Sequence, residues 1–145
     1  MDYTTKQAGS LYEQIFVVEA LRRGLEPHMP FGDFLPHDLI VYGRSGACYK
    51  IQIKGTSTES RDARRRNLRG RFRITAATGS STKEIIDCAK VDILAAYIAP
   101  WDTWYLIPCE VIKSKCVWMY PEVPYEGYPK GKYEPYRNNW SIFED

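Results

Sequence analysis

Four residues in this chain have the types and spacing to cut a phosphodiester bond. Asp38 precedes an apolar run, Leu39-Ile40-Val41-Tyr42, and Gln52 and Lys54 sit in the alternation Tyr49-Lys50-Ile51-Gln52-Ile53-Lys54. A turn containing Gly43 and Gly46 separates the two runs, so they read as an antiparallel hairpin. Strand side chains alternate between faces. Gln52 and Lys54 therefore share one surface, Ile51 and Ile53 take the other, and Asp38 opens the neighbouring strand within reach of the first. Phosphodiester hydrolysis needs a metal to neutralise phosphate oxygens, a water activated in line, and stabilisation of the leaving alkoxide. Mg2+ takes oxygen ligands in near-octahedral geometry. Asp38 offers an anionic oxygen, the Gln52 side chain a neutral one and the main-chain carbonyl of Ile53 a third. Lys54 would orient or deprotonate the attacking water and counter phosphate charge. Glu13, upstream, could face either solvent or the sheet edge, where it would hold metal-bound waters.

The elements that must position these groups are legible as patterns. Ala8, Leu11, Tyr12, Ile15, Phe16, Val18 and Leu21 recur at helical spacing and predict an amphipathic helix from Thr5 to Arg23, closed by Gly24. A short strand around Leu25 to Met29 and a Pro/Gly loop ending at Pro36 lead into the hairpin. Arg71 to Ala76 predicts a further strand, and Ser80 or Ser81 is expected to cap a helix to about Lys90 with Ile85, Ile86 and Ala89 facing inward. VDILAAYIA and WYLIPCEVI, joined by Pro100-Trp101-Asp102-Thr103, predict a second, more buried hairpin. Tyr133 to Phe143 predicts a short helix docked by Tyr136, Trp140 and Phe143. This order predicts an α/β or α+β domain, a mixed sheet flanked by helices.

Length and composition narrow the function classes. A chain of 145 residues with 44% hydrophobic and 26% charged content predicts one globular domain spanning 1–145. No apolar run spans a bilayer and the start MDYTTKQAGS lacks secretory-signal regions, so an intracellular, cytoplasmic protein is expected. Cys48, Cys88, Cys109 and Cys116 show no CxxC pairing, which predicts reduced, mostly buried thiols rather than a zinc site. His28 and His37 read as hydrogen-bonded loop residues. The net charge of +2 is small, but a mobile basic loop is expected at about 55–73, and between Arg61 and Arg73 the arginines Arg61, Arg64, Arg65, Arg66, Arg69, Arg71 and Arg73 stand with a single acid, Asp62. Such density predicts contact with DNA phosphates. The Tyr/Trp-rich C-terminal segment at 117–145 is expected to pack, with base stacking by one or two of its rings as the other reading.

GSLYE at 9–13, PHD at 36–38 and QIK at 52–54 resemble, in motif and in order, the PD-(D/E)XK nuclease superfamily. Within it the chain is most similar to the group I intron-associated homing endonucleases, which share the glutamine variant, and the likeness extends to VDILAAYIAP, WYLIPCEVI and the closing Tyr/Trp segment. The resemblance implies a restriction-endonuclease-like core, a Mg2+ or Mn2+ cofactor, and a catalytic set of Glu13, Asp38, Gln52 and Lys54. Metal would rest on Asp38, Gln52, Ile53 and Glu13. The expected activity is site-specific double-strand cleavage of DNA. Departures from the superfamily pattern are His37 between Pro36 and Asp38, and Gln52 where an acid is commoner; Gln52→Glu is expected to be tolerated or to improve metal binding. A Holliday-junction resolvase or other structure-specific nuclease, and a non-catalytic DNA-binding module on this fold, are the alternatives. One constellation cuts one strand at a time, which predicts a homodimer or homotetramer. The hairpin from Val91 to Ile112 and the Tyr/Trp tail are the expected interfaces.

Overall fold

The computed structural model describes residues 3–60, 70–78, 84–121 and 131–144. Thr4 caps the first helix reciprocally: Gln7 N donates to Thr4 Oγ1 at 3.2 Å, and Thr4 N donates to Gln7 Oε1 at 2.9 Å. Two donors that a helix start leaves orphaned are thus satisfied. Helix α1 runs Thr5–Arg22 and the chain turns away at Gly24, whose φ of +74° is left-handed and would strain a residue with a Cβ. Its buried face is narrow, consisting of Tyr12, Phe16 and Ala20. Leu11, Val18 and Leu21, expected on that face, are exposed. Ala8, Ile15 and Val17 pack against the same core beside this i, i+4, i+8 stripe.

The strands are β1 (Glu26–His28), β2 (Leu39–Tyr42), β3 (Cys48–Thr56), β4 (Phe72–Thr75), β5 (Ala77–Thr78), β6 (Glu84–Ile85), β7 (Ile93–Ile98), β8 (Thr103–Pro108) and β9 (Cys116–Met119). A five-stranded mixed sheet has the order β1-β2-β3-β7-β8. β1, β2 and β3 are antiparallel neighbours, β3 lies parallel to β7, and β7 and β8 form the second hairpin. One face of this sheet meets α1 and the C-terminal turns: Ile51, Ile53, Ala95, Tyr97, Trp104 and Leu106 pack with Phe16, Trp140 and Phe143. Phe16 lies edge-on to Trp104 at 5.3 Å between ring centroids. The other face is covered by a two-stranded sheet of β4 and β9, whose Phe72, Ile74, Val117 and Met119 pack with Leu94, Ala96, Tyr105 and Ile107. No helix among the described residues is long and apolar enough to cross a membrane.

Several expectations are corrected. In place of the helix expected to end near Lys90, Glu84 and Ile85 pair with Ala77 and Thr78, and the chain then turns at Asp87, whose carbonyl accepts from Lys90 N and Val91 N. Ile86 is buried, whereas Ile85 and Ala89 are exposed; Ser80 and Ser81 lie outside the described residues. The sheet is therefore flanked by one α-helix among the described residues. Cys88 and Cys109 are not thiols but a disulfide, because the turn after Asp87 carries Cys88 alongside the segment leaving β8; Cys48 is exposed and Cys116 half-buried. The β7–β8 hairpin is covered on both faces, so it is core rather than a free interface. The tail ends in two short 3-10 turns, Glu134–Tyr136 and Trp140–Phe143, and Trp140 and Phe143 close the core.

The approach of α1 to β3 depends on one glycine. A Cβ at Gly55 would overlap the Tyr12 ring, so the helix can settle on the strand only where that Cβ is missing. Gly55→Ala should cost about 1–3 kcal/mol in urea unfolding. Tyr12→Ala should cost more, and the double variant less than the sum of the two, because the overlap exists only when both are present. Strict additivity would show that the contact does not set the spacing.

Candidate active site

The site forms where β3 runs on beyond the end of β2. Asp38 N donates to Ile51 O at 2.8 Å, and the register that pairs Leu39 with Ile51 places Asp38 across from Gln52. Pro36 has no N–H to continue the ladder. The N–H of Ile53 thus faces an edge with no strand beside it, and Asp38 Oδ2 accepts it at 2.7 Å. A strand residue's N–H and C=O leave on the same edge, so the Ile53 carbonyl is directed to the side occupied by Asp38. A carboxylate used this way is fixed in place by the sheet itself.

Gln52 is only 6% exposed. Its Nε2 donates to the Pro36 carbonyl at 3.3 Å, and its Oε1 is buried without a hydrogen-bond partner. Lys54, two residues on and on the same face, lies close enough for its charge to act on Asp38; it has no ion-pair partner among the described residues. Glu13 comes from α1, held there by Tyr12 over Gly55, and is half-buried. Burial pushes the Asp38 carboxyl above its ordinary range, opposed by the Ile53 N–H and by the charges of Lys54 and His37. Glu13 is raised by burial first and by the charge of Asp38 second. The four residues expected to act together are therefore brought together.

Two carboxyls that burial pushes toward the protonated form, one of them also by the charge of the other, beside a buried carbonyl oxygen with no donor, fit a divalent cation: the ion would satisfy all three. No group of three His, Cys, Asp or Glu side chains is gathered among the described residues. The donor set would instead be two carboxylates completed by an amide and a main-chain carbonyl, oxygen donors of the kind Mg2+ prefers.

Other expected residues are placed differently. His37 is 8% exposed and its Nε2 has no hydrogen-bond partner, so it is not the hydrogen-bonded loop residue expected; its neighbours Pro36 and Asp38 are drawn onto β3, which carries it inward. His28 lies on β1 with its ring edge-on to Tyr42. Arg61, Arg64, Arg65, Arg66 and Arg69 lie outside the described residues. Arg71 stacks over the Trp118 ring at 3.8 Å, and Arg73 Nε donates to Cys116 Sγ at 3.3 Å. Ser60 N donates to Arg71 O at 2.7 Å, so the arginine segment starts and ends at one point just beyond β3. Sequence reasoning missed the Pro36 carbonyl and the Tyr12–Gly55 contact. The signal for the first was Pro36 itself, which marks where the ladder stops.

The electrostatics predict a pH dependence. A carboxyl whose folded-state pKa is raised binds its proton more tightly folded than unfolded, so its contribution to stability is present at low pH and lost as pH rises through the folded value. Asp38→Asn keeps an oxygen for the Ile53 N–H and removes the charge. In metal-free protein it should unfold at higher urea concentration than the parent at pH 7, and the gap should close as pH falls below the ordinary aspartate range. A variant less stable than the parent at neutral pH would contradict this.

Comparison with known proteins agrees with the geometry. No curated protein matches the sequence. Among solved structures, the bacterial homing endonuclease I-Ssp6803I is similar in fold, with a TM-score of 0.75 at 20% identity over 97% of this chain and 91% of that one. The family model of the PD-(D/E)XK endonucleases matches residues 3–127, a span that contains α1, β2, β3 and all four site residues. The restriction-endonuclease-like core with a carboxylate, an amide and a lysine at the open end of its sheet is thus that of a nuclease, and the chain belongs to the PD-(D/E)XK endonuclease family.

Proposed function

We propose that this protein is a Mg2+-dependent DNA endonuclease, a single domain across its 145 residues, that acts as a site-specific homing enzyme and breaks both strands. The observation that carries the reading is the buried, unpartnered Oε1 of Gln52 beside Asp38 and Lys54. Asp38, Gln52 Oε1 and the Ile53 carbonyl would hold the ion, with Glu13 acting through water. When bound, the ion supplies positive charge against the phosphate oxygens and the leaving alkoxide. Lys54, which has no ion-pair partner among the described residues, orients the attacking water and takes or shares its proton while its charge faces the scissile phosphate. Asp38 cannot swing away, because the Ile53 N–H holds one of its oxygens.

Arg61, Arg64, Arg65, Arg66 and Arg69, with Arg71 and Arg73, would contact backbone phosphates of double-stranded DNA, a sequence-independent attraction that positions the duplex. The homing role rests on the fold shared with a bacterial homing endonuclease. Cutting both strands calls for two copies of the site, so the working form is a homodimer or homotetramer. With the β7–β8 hairpin buried, surface for such assembly is offered by the exposed apolar side chains Leu11, Val18 and Leu21 of α1. A nuclease of this kind works where DNA is, in the cytoplasm.

Purified protein should linearise or nick plasmid DNA in Mg2+ and do neither in EDTA. Lys54→Ala should slow cutting by about 10²–10⁴-fold, the usual contribution of a positioned proton-transfer group, while gel-shift affinity for the same DNA stays within a few-fold. Cutting by Lys54→Ala at the parent rate would remove Lys54 from the mechanism.

A further inference from the structure

Gln52 stands where an acid is commoner, and the hydrogen bonds around it supply a reason. A buried side-chain amide has a donor end and an acceptor end. The group facing Gln52 from the other strand is the carbonyl of Pro36, which can only accept. The amide is therefore oriented by donor–acceptor logic: Nε2 toward Pro36, which leaves Oε1 buried and without a donor. Pro36 makes this arrangement durable, since a residue without an N–H ends the β2–β3 ladder and leaves its carbonyl beside residue 52.

We propose that the main-chain carbonyl of Pro36 is a positioning group that makes this a glutamine site: it presents Gln52 Oε1 as the free oxygen and rejects a carboxylate at 52. The inference rests on the nuclease reading only in taking residue 52 as a site position. A glutamate there has the same shape but no donor. One of its oxygens would meet the Pro36 carbonyl, acceptor against acceptor, in a place only 6% exposed, where unpaired polar atoms are costly. It would also put a third carboxylate beside Asp38 and Glu13. The expectation that Gln52→Glu is tolerated is thereby reversed.

The test compares the parent, Gln52→Glu and Gln52→Met, first without metal and then titrated with Mn2+ alone. Methionine matches glutamine in length but carries neither donor nor carboxylate, so it controls for mere loss of the side-chain hydrogen bond. At pH 7.5, metal-free Gln52→Glu should melt about 3–10 °C below the parent and below Gln52→Met, and saturating Mn2+ should recover part of its loss. In the parent, the side-chain amide protons of Gln52 should exchange more slowly than those of an exposed glutamine in heteronuclear NMR. Gln52→Glu with the parent's melting temperature and tighter Mn2+ binding, or Gln52 amide protons exchanging at the exposed rate, would overturn the proposal. The two readings fail separately. Parent protein that neither binds Mn2+ nor cuts DNA would sink the nuclease reading, while destabilised Gln52→Glu and slow amide exchange would still support the orientation.

Discussion

The arrangement at this site depends on one mismatch in strand length. β3 is nine residues long and is paired along its far half with β7, but β2 stops at Leu39 and a proline stands two residues before Asp38. Main-chain groups at the overhang cannot be left unpaired in a half-buried place. Asp38 supplies the missing acceptor to the Ile53 N–H, and in doing so is locked next to Gln52 and Lys54. The same gap lets α1 bring Glu13 in from the other side of the sheet. A sheet whose β2 continued through Pro36 would be more regular and would have no site.

That gap is costly to hold. Asp38 and Glu13 are both pushed toward the protonated form, chiefly by burial, and Gln52 Oε1 lacks a donor. Such strain persists only where the surrounding packing over-determines it. Here the packing is the aromatic layer of Phe16, Tyr97, Trp104 and Trp140 on one face and the β4–β9 sheet on the other. Between these two layers Lys54 is half-buried. An amide in place of a third acid keeps the number of like charges at two, which lightens the burden on a small domain of limited stability.

Much of this was legible in the sequence because period-2 alternation fixes faces. Once Leu39–Tyr42 and Tyr49–Lys54 are read as a hairpin, Gln52 and Lys54 must share a surface and Asp38 must lie near it. The second hairpin was legible from its continuous apolar runs, and α1 from its spacing, although spacing alone put Leu11, Val18 and Leu21 on the wrong side. What failed was non-local. Ile85, Ile86 and Ala89 have helical spacing, yet pairing of Glu84–Ile85 with Ala77–Thr78 overrides it. β9 joins β4 across a long stretch of chain, and Cys88 meets Cys109 with no motif to announce it. At the site, residue types and faces could be read; the hydrogen bonds to the Ile53 N–H and the Pro36 carbonyl could not, since they depend on where a ladder ends.

In the proposed function, Asp38, Gln52 and the Ile53 carbonyl converge on a divalent cation. Anomalous diffraction from crystals grown in Mn2+ at a concentration that supports DNA cleavage tests it most directly. A single strong peak within coordination distance of Asp38, Gln52 Oε1 and the Ile53 carbonyl oxygen is the predicted result. A peak elsewhere, with Gln52 Oε1 turned away from it, would contradict this metal site.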